Sequence, residues 1–240
     1  MVPLVDQCFQ CSFRKWRGVG VAEKRTGSVV NIAYRQNGNR PVAFVDETYS
    51  VDPAHSLTFY VLTAVVVRHD QLDDLRAGLV RRAGSSYWHS TEALQTGEGP
   101  SRMKELLEYL GAEDGSEVCI LSHKVGVAAS DVNGEAARAE CLTALLQRLA
   151  DGSYGGEPVR LVVLERRRVN KDAARDSRTK LRAVESSLVP ASTRLLQVSP
   201  GEEQLLWLPD LVCAAYRQKL VWGRDSYYAC VEHIATVIMA

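Results

Sequence analysis

The sequence predicts an α/β protein: a mixed β-sheet opened by an antiparallel hairpin and flanked by α-helices on both faces. Three observations predict it. Two apolar runs, Val42–Glu47 and Leu57–Val67, lie either side of Ser50-Val51-Asp52-Pro53-Ala54, whose turn chemistry joins them as a hairpin. Beyond the hairpin, short apolar runs alternate with stretches of helical periodicity, the order expected of a layered α/β sheet. No internal repeat, low-complexity segment or linker divides the 240 residues.

Taken in order, residues 1–40 form a poorly defined extension rich in Arg, Lys, Gly and Asn, with a short strand expected at Ser28–Tyr34. A single α/β domain is expected over 41–240. Cys8 and Cys11 make a C-x-x-C, but no second pair stands at zinc-site spacing and no strand-then-helix context suits a redox pair. After the hairpin, Leu72, Leu75 and Leu79 mark a helix over Asp70–Arg82, and Ser85–His89 reads as a short strand. Ser101 is placed as the N-cap of a helix carrying Met103, Leu106, Leu107 and Leu110 and closing at Gly111. A strand at Val118–Ser122 and a helix from Glu135 to Ala150 follow. Val159–Leu164 is an apolar strand ending in Glu165, a basic helical stretch comes next, and Arg194–Val198 is a further strand. The last long helix, Glu203–Val221, is expected to be interrupted by Pro209. The tail from Tyr227 to Met239 is apolar enough to pack as helix or strand.

Composition excludes more than it selects. Hydrophobic residues make up 46% and charged residues 24%, ordinary for a globular domain with a substantial core. Lys+Arg and Asp+Glu both number 29, so partners must be sought in local clustering. No apolar run reaches the length of a membrane span, and Asp6 interrupts the place of a signal-peptide core, so no membrane association is expected. Six scattered cysteines suggest reduced, buried thiols and a cytoplasmic protein. The motifs of common hydrolases, nucleotide-binding proteins and zinc proteases are absent.

Three carboxylates stand on apolar elements. Asp46, followed by Glu47, ends the first strand; Glu165 ends a later one; Asp210 shares a helical face with Leu206, Cys213 and Ala214. Acids gathered at one sheet edge repel unless a cation lies between them. Oxygen-rich clusters suit Mg²⁺ or Mn²⁺, and two such ions about 3.5–4 Å apart are a common device for phosphodiester cleavage. The same residues also read as strands running out into solvated turns, with Asp210 in the first helical turn behind Pro209. Strand alternation sends Glu47 to the opposite face from Asp46, where it reads as structural.

A basic run begins directly after Glu165. Arg166, Arg167, Arg168, Lys171, Arg175, Arg178, Lys180 and Arg182 face only Asp172 and Asp176 in sequence. Such clustering is what a phosphate backbone binds, and nucleic acid is the partner it suggests. It equally describes a solvated helix face with internal Asp172–Arg175 and Asp176–Lys180 pairs. Trp88-His89-Ser90-Thr91-Glu92 adds a histidine able to orient a water or leaving group, and Glu92 as a further oxygen donor.

These residues carry a resemblance. Phe44-Val45-Asp46-Glu47-Thr48 followed by Phe59–Val67 resembles the opening of the domain-of-unknown-function 3800 family. Val162–Arg167 resembles its internal strand, and Gln204–Ala214 its closing helix. The similarity runs from about Pro41 to Trp222. It implies an RNase H-like fold and a divalent-metal nuclease site with Asp46, Glu165 and Asp210 as metal-binding acids, and Glu47 as an additional candidate. The chain departs from the pattern at Pro209, where a small residue is usual, and at Thr48-Tyr49, where Ser-Gly is usual. Three roles stay open: metal-dependent nuclease, non-catalytic binding module for nucleic acid or protein, and structural partner subunit, the last compatible with a homo-oligomer.

Overall fold

The computed structural model describes residues 23–112, 117–167 and 170–240; Cys8, Cys11 and Arg168 lie outside them. One six-stranded sheet organises the chain in the order β5-β4-β1-β2-β3-β6. β1 (Val42–Ser50), β2 (Phe59–Val67) and β3 (Val118–Val125) form an antiparallel meander, with Asp46 opposite Thr63. β4 (Leu161–Glu165) lies parallel to β1, pairing Val45 with Leu164, and β5 (Arg194–Val198) lies parallel to β4. β6 (Ala235–Met239) adds in parallel to the far side of β3. The fold class is the one the alternation of apolar runs predicts, and the hairpin turn forms where expected, Asp52 accepting from the Ala54 N–H at 2.9 Å.

Strand alternation divides the core. Val42, Phe44, Val61, Val65, Leu161 and Val163 face one side, packed by α1 (Glu23–Asn37), α2 (Leu72–Ala83), α4 (Gly99–Leu110) and α7 (Trp207–Trp222). Ala43, Val45, Leu62, Ala64, Val162 and Leu164 face the other, packed by α5 (Glu135–Asp151) and α6 (Asn170–Glu185). Every β2 residue is buried, as a central strand covered on both faces requires.

Four local expectations are corrected. The segment expected as a strand at Ser28–Tyr34 lies in α1, because Val30, Ala33, Tyr34 and Asn37 recur at helical spacing and turn towards the core. Ser85–His89 pairs with no strand: it runs from the α2 cap into the short α3 (Ser90–Ala93), burying Trp88 on the way. Ser101 is not an N-cap, since α4 starts at Gly99 with Pro100 in its first turn. Pro209 does not interrupt the final helix. A 3-10 turn, Gln204–Leu206, precedes α7, so Pro209 is its third residue, where a helix has no internal acceptor for the N–H that proline lacks.

The chain before Pro41 is tied to the sheet side packed by α7. Glu203, 2% exposed, accepts from the Tyr34 hydroxyl at 2.6 Å and from both Arg76 Nε and Nη2 at 3.0 Å. It also accepts from the Leu205 N–H, capping the turn that delivers α7 and therefore Asp210.

Candidate functional site

The carboxyl ends of β1 and β4 place Asp46 and Glu165 one step beyond the paired Val45 and Leu164. Both fall on the strand parity of Phe44 and Val163, the α7 side of the sheet. Asp210 lies in the first turn of α7, which packs on β1 and β2 over that face. The carboxyl end of a parallel pair, beneath a helix start, is where open α/β sheets gather ligands.

Electrostatically, the acids are neighbours. Burial pushes the Asp46 carboxyl well above its ordinary value, and the negative charges of Glu165, Asp210 and Glu47 push the same way. Against this, the Glu47 N–H donates to Oδ1 at 2.8 Å. Asp210 is raised too, by burial, against which a nearby His89 charge and hydrogen bonds from Ser90 act; the Ser90 N–H reaches Oδ2 at 2.8 Å. Among the described residues neither Asp46 nor Asp210 forms an ion pair with Lys or Arg. Beneath them Cys213 donates to the Thr63 hydroxyl at 3.2 Å, and burial beside Asp46 holds that thiol protonated.

The chain from Tyr87 to Glu92 forms the near wall. Trp88 anchors it, donating from Nε1 to the Ser90 hydroxyl at 3.0 Å. Tyr87, 53% exposed, donates to Glu92 at 3.1 Å. Partial burial pushes its hydroxyl up to about 12, and the charges of Glu92, Asp210 and Glu165 act in the same direction. His89 thus meets Asp210, while Tyr87 and Ser90 are site neighbours that periodicity does not single out.

Glu47 faces the other way, as alternation requires. Its Oε2 lies 2.6 Å from Arg138, which is itself 2% exposed. Arg138 also binds Asp176 through Nε at 2.8 Å and Nη2 at 2.9 Å, and the Tyr60 hydroxyl through Nη1 at 3.1 Å. Asp176 is therefore a buried partner of Arg138 rather than a surface partner of Lys180. Arg167 is bound by Glu135, with Asp172 and Asp176 within 4 Å. Arg175 bridges Glu135 and Asp172, so the expected Asp172–Arg175 pair forms. Of the basic run, Arg166 is half-exposed and paired with Glu202, and Arg178 is exposed. The Lys171 side chain lies outside the described part of the structure.

The donor chemistry suits a hard cation that takes one or two carboxylates and otherwise keeps waters or phosphate oxygens. A closed cage is not present: among the described residues, no group of three or more His, Cys, Asp or Glu side chains is arranged to hold a metal ion. Nor is any helix of the described residues long and apolar enough to cross a membrane.

Comparisons with known proteins return little. No family model matches the sequence, and no curated protein matches it. Among solved structures, the chain is similar to a mutant of Bst-RNase HIII at 14% identity and a TM-score of 0.39. The match covers 80% of this chain and spans 58% of that one.

Proposed function

We propose that this chain is a divalent-metal-dependent phosphodiesterase acting on nucleic acid. One observation carries the reading: Asp46, a largely buried carboxylate at the carboxyl end of β1 one step beyond the β1–β4 pairing, is pressed by the charges of Glu165, Asp210 and Glu47, with no ion-pair partner among the described residues. A buried charge so placed is retained where a bound cation or a reaction uses it. The resemblance to the domain-of-unknown-function 3800 family supports the same three acids.

In this reading Asp46, Glu165 and Asp210 hold Mg²⁺ or Mn²⁺. A divalent ion there supplies charge neutralisation and Lewis acidity towards a phosphodiester. The Ser90 N–H fixes the Asp210 carboxylate, and His89 beside it holds or delivers a proton at the leaving oxygen. Arg166, Arg168 and Lys171, which follow Glu165 in the chain, are the phosphate contacts, whereas Arg175 and Arg178 line the cleft on the other face. Arg167, bound by Glu135, orients the carboxylates of the opposite face.

The test is cleavage of labelled single- and double-stranded DNA, RNA and hybrid in Mg²⁺ or Mn²⁺, with binding of Mn²⁺ followed in parallel. Asp46→Asn is expected to lower cleavage about 100-fold or more and to weaken Mn²⁺ binding. Cleavage at the parent rate by Asp46→Asn overturns the assignment. The exposed Arg178 and half-exposed Arg166 also fit a second reading, a binding module without catalysis. That reading expects salt-sensitive nucleic-acid binding that survives both EDTA and Asp46→Asn.

A further inference from the structure

We propose that the cleft between α5 and α6, on the sheet face opposite the three acids, is a binding site for a phosphate-bearing anion of small-molecule size. The cavity is about 360 Å³, at the small end of ligand pockets, and its lining includes Glu135, Arg138, Arg175, Asp176, Arg178 and Arg182. Four arginines there meet two carboxylates. With the adjoining Glu47, Asp172 and Arg167 counted, five arginines meet four carboxylates, and the site remains positive.

The excess has a definite location. Arg138 forms the floor and is engaged by Glu47, Asp176 and Tyr60, while Arg167 is engaged by Glu135. Arg175 lies against Glu135 and Asp172 with its side chain partly exposed. Arg178 and Arg182 remain: both are exposed, and neither has an ion-pair partner among the described residues. Standing four apart on α6, they point over the same wall of the cleft, an arrangement of like charges that disfavours an isolated helix. A phosphate placed between them removes that repulsion and accepts paired N–H groups from planar guanidinium forks. Thr179, also in the lining, adds a hydroxyl. The volume of this open cleft suits a free nucleotide or the terminal phosphate of a strand.

The inference does not rest on the carboxylate site, and the experiment keeps the two apart. The full chain is titrated calorimetrically at fixed ionic strength with inorganic phosphate, a nucleoside 5′-monophosphate, and one oligonucleotide with and without a 5′-phosphate. Phosphate is expected to bind the parent and Asp46→Asn alike, and the double variant Arg178→Ala/Arg182→Ala about tenfold or more weaker. Both arginines are exposed, so an unchanged melting temperature of the double variant verifies its fold. Preference for the monophosphate identifies a free nucleotide as the occupant; preference for the 5′-phosphorylated strand identifies a strand end. Equal phosphate binding by parent and double variant overturns the proposal. So does loss of phosphate binding in Asp46→Asn, or a parent response no greater than to chloride.

Discussion

On the α5–α6 face of the sheet, Glu47, Glu135, Asp172 and Asp176 meet Arg138, Arg167 and Arg175 in a continuous ion network. On the α7 face, one residue earlier in β1, Asp46 meets Asp210 and Glu165 with repulsion, and the described residues bring Asp46 no cation. At the centre of the first side Arg138 and Asp176, each 2% exposed, pair with each other, whereas Asp46 and Asp210 are partly exposed and form no ion pair among the described residues. A matched network satisfies its own desolvation demand and acts as architecture. A mismatched one leaves that demand to something outside the chain, which is why the α7 face is read as the catalytic one, while on the first face only the exposed Arg178 and Arg182 stand outside the network.

Breaking the matched side should give the largest effect. Arg138→Met leaves Asp176 and Glu47 without their shared partner, and the unfolding free energy in urea should fall by about 3–5 kcal/mol. Adding Asp176→Asn removes one stranded charge and should restore part of that loss. If Arg138→Met costs less than about 1 kcal/mol, the network is not balanced by this arginine and the contrast fails.

Exchanging adjacent residues sharpens the contrast further. In metal-free buffer near neutrality, Asp46→Asn relieves a repelled, largely buried carboxylate and should raise stability by about 1–2 kcal/mol while removing divalent-dependent cleavage. Glu47→Gln should do the reverse, lowering stability by about 1–3 kcal/mol and leaving the response to Mn²⁺ in place. Thermal melts with and without Mn²⁺, paired with cleavage assays, separate the two. Identical behaviour of the two variants would break the comparison.

Much of this contrast was legible in the sequence. Alternation alone assigns Asp46 and Glu47 to opposite faces, and apolar flanks mark Asp46, Glu165 and Asp210. The arginine partner of Glu47 was also written there: Arg138 precedes Cys141, Leu142 and Leu145 by three, four and seven residues, placing a cation on the buried stripe of α5. What escaped depends on long-range packing. Nothing local distinguishes Asp176, facing Arg138, from Asp172 on the same helix. The bond from Ser90 to Asp210 joins residues 120 apart. α1 was misread because Ser28-Val29-Val30 has strand propensity, while the helical spacing from Val30 to Asn37 decides its structure.

The two faces should also titrate in opposite senses. Asp46 keeps its proton in the folded chain above the ordinary value of 3.8. Its contribution is therefore fully present below 3.8 and lost as pH rises through the raised folded value. Glu135 is pushed up by burial, but its bonds and charge contacts with Arg167 and Arg175 outweigh that and hold it below 4.5. Its contribution is present above 4.5 and lost as pH falls through the lowered folded value. Stability measured by urea titration without metal, from pH 3 upward, should lose the first component in Asp46→Asn and the second in Glu135→Gln. A common sign for both components would mean the acids of the α7 face are matched after all.

The smallest effect is expected between the faces, at Arg166, the residue that follows Glu165. Its pair with Glu202, at 3.1 Å and with the arginine half-exposed, is a surface ion pair and should contribute under about 1 kcal/mol. Arg166→Ala should therefore melt close to the parent. If Arg166 contacts a phosphate of bound nucleic acid, the same variant lowers the slope of log affinity against log salt by about 0.7–0.9, the share of one contact. An unchanged slope removes Arg166 from the interface without touching the carboxylates. A slope change with unchanged melting assigns the first residue after β4 to ligand binding, where stability measurements alone would miss it.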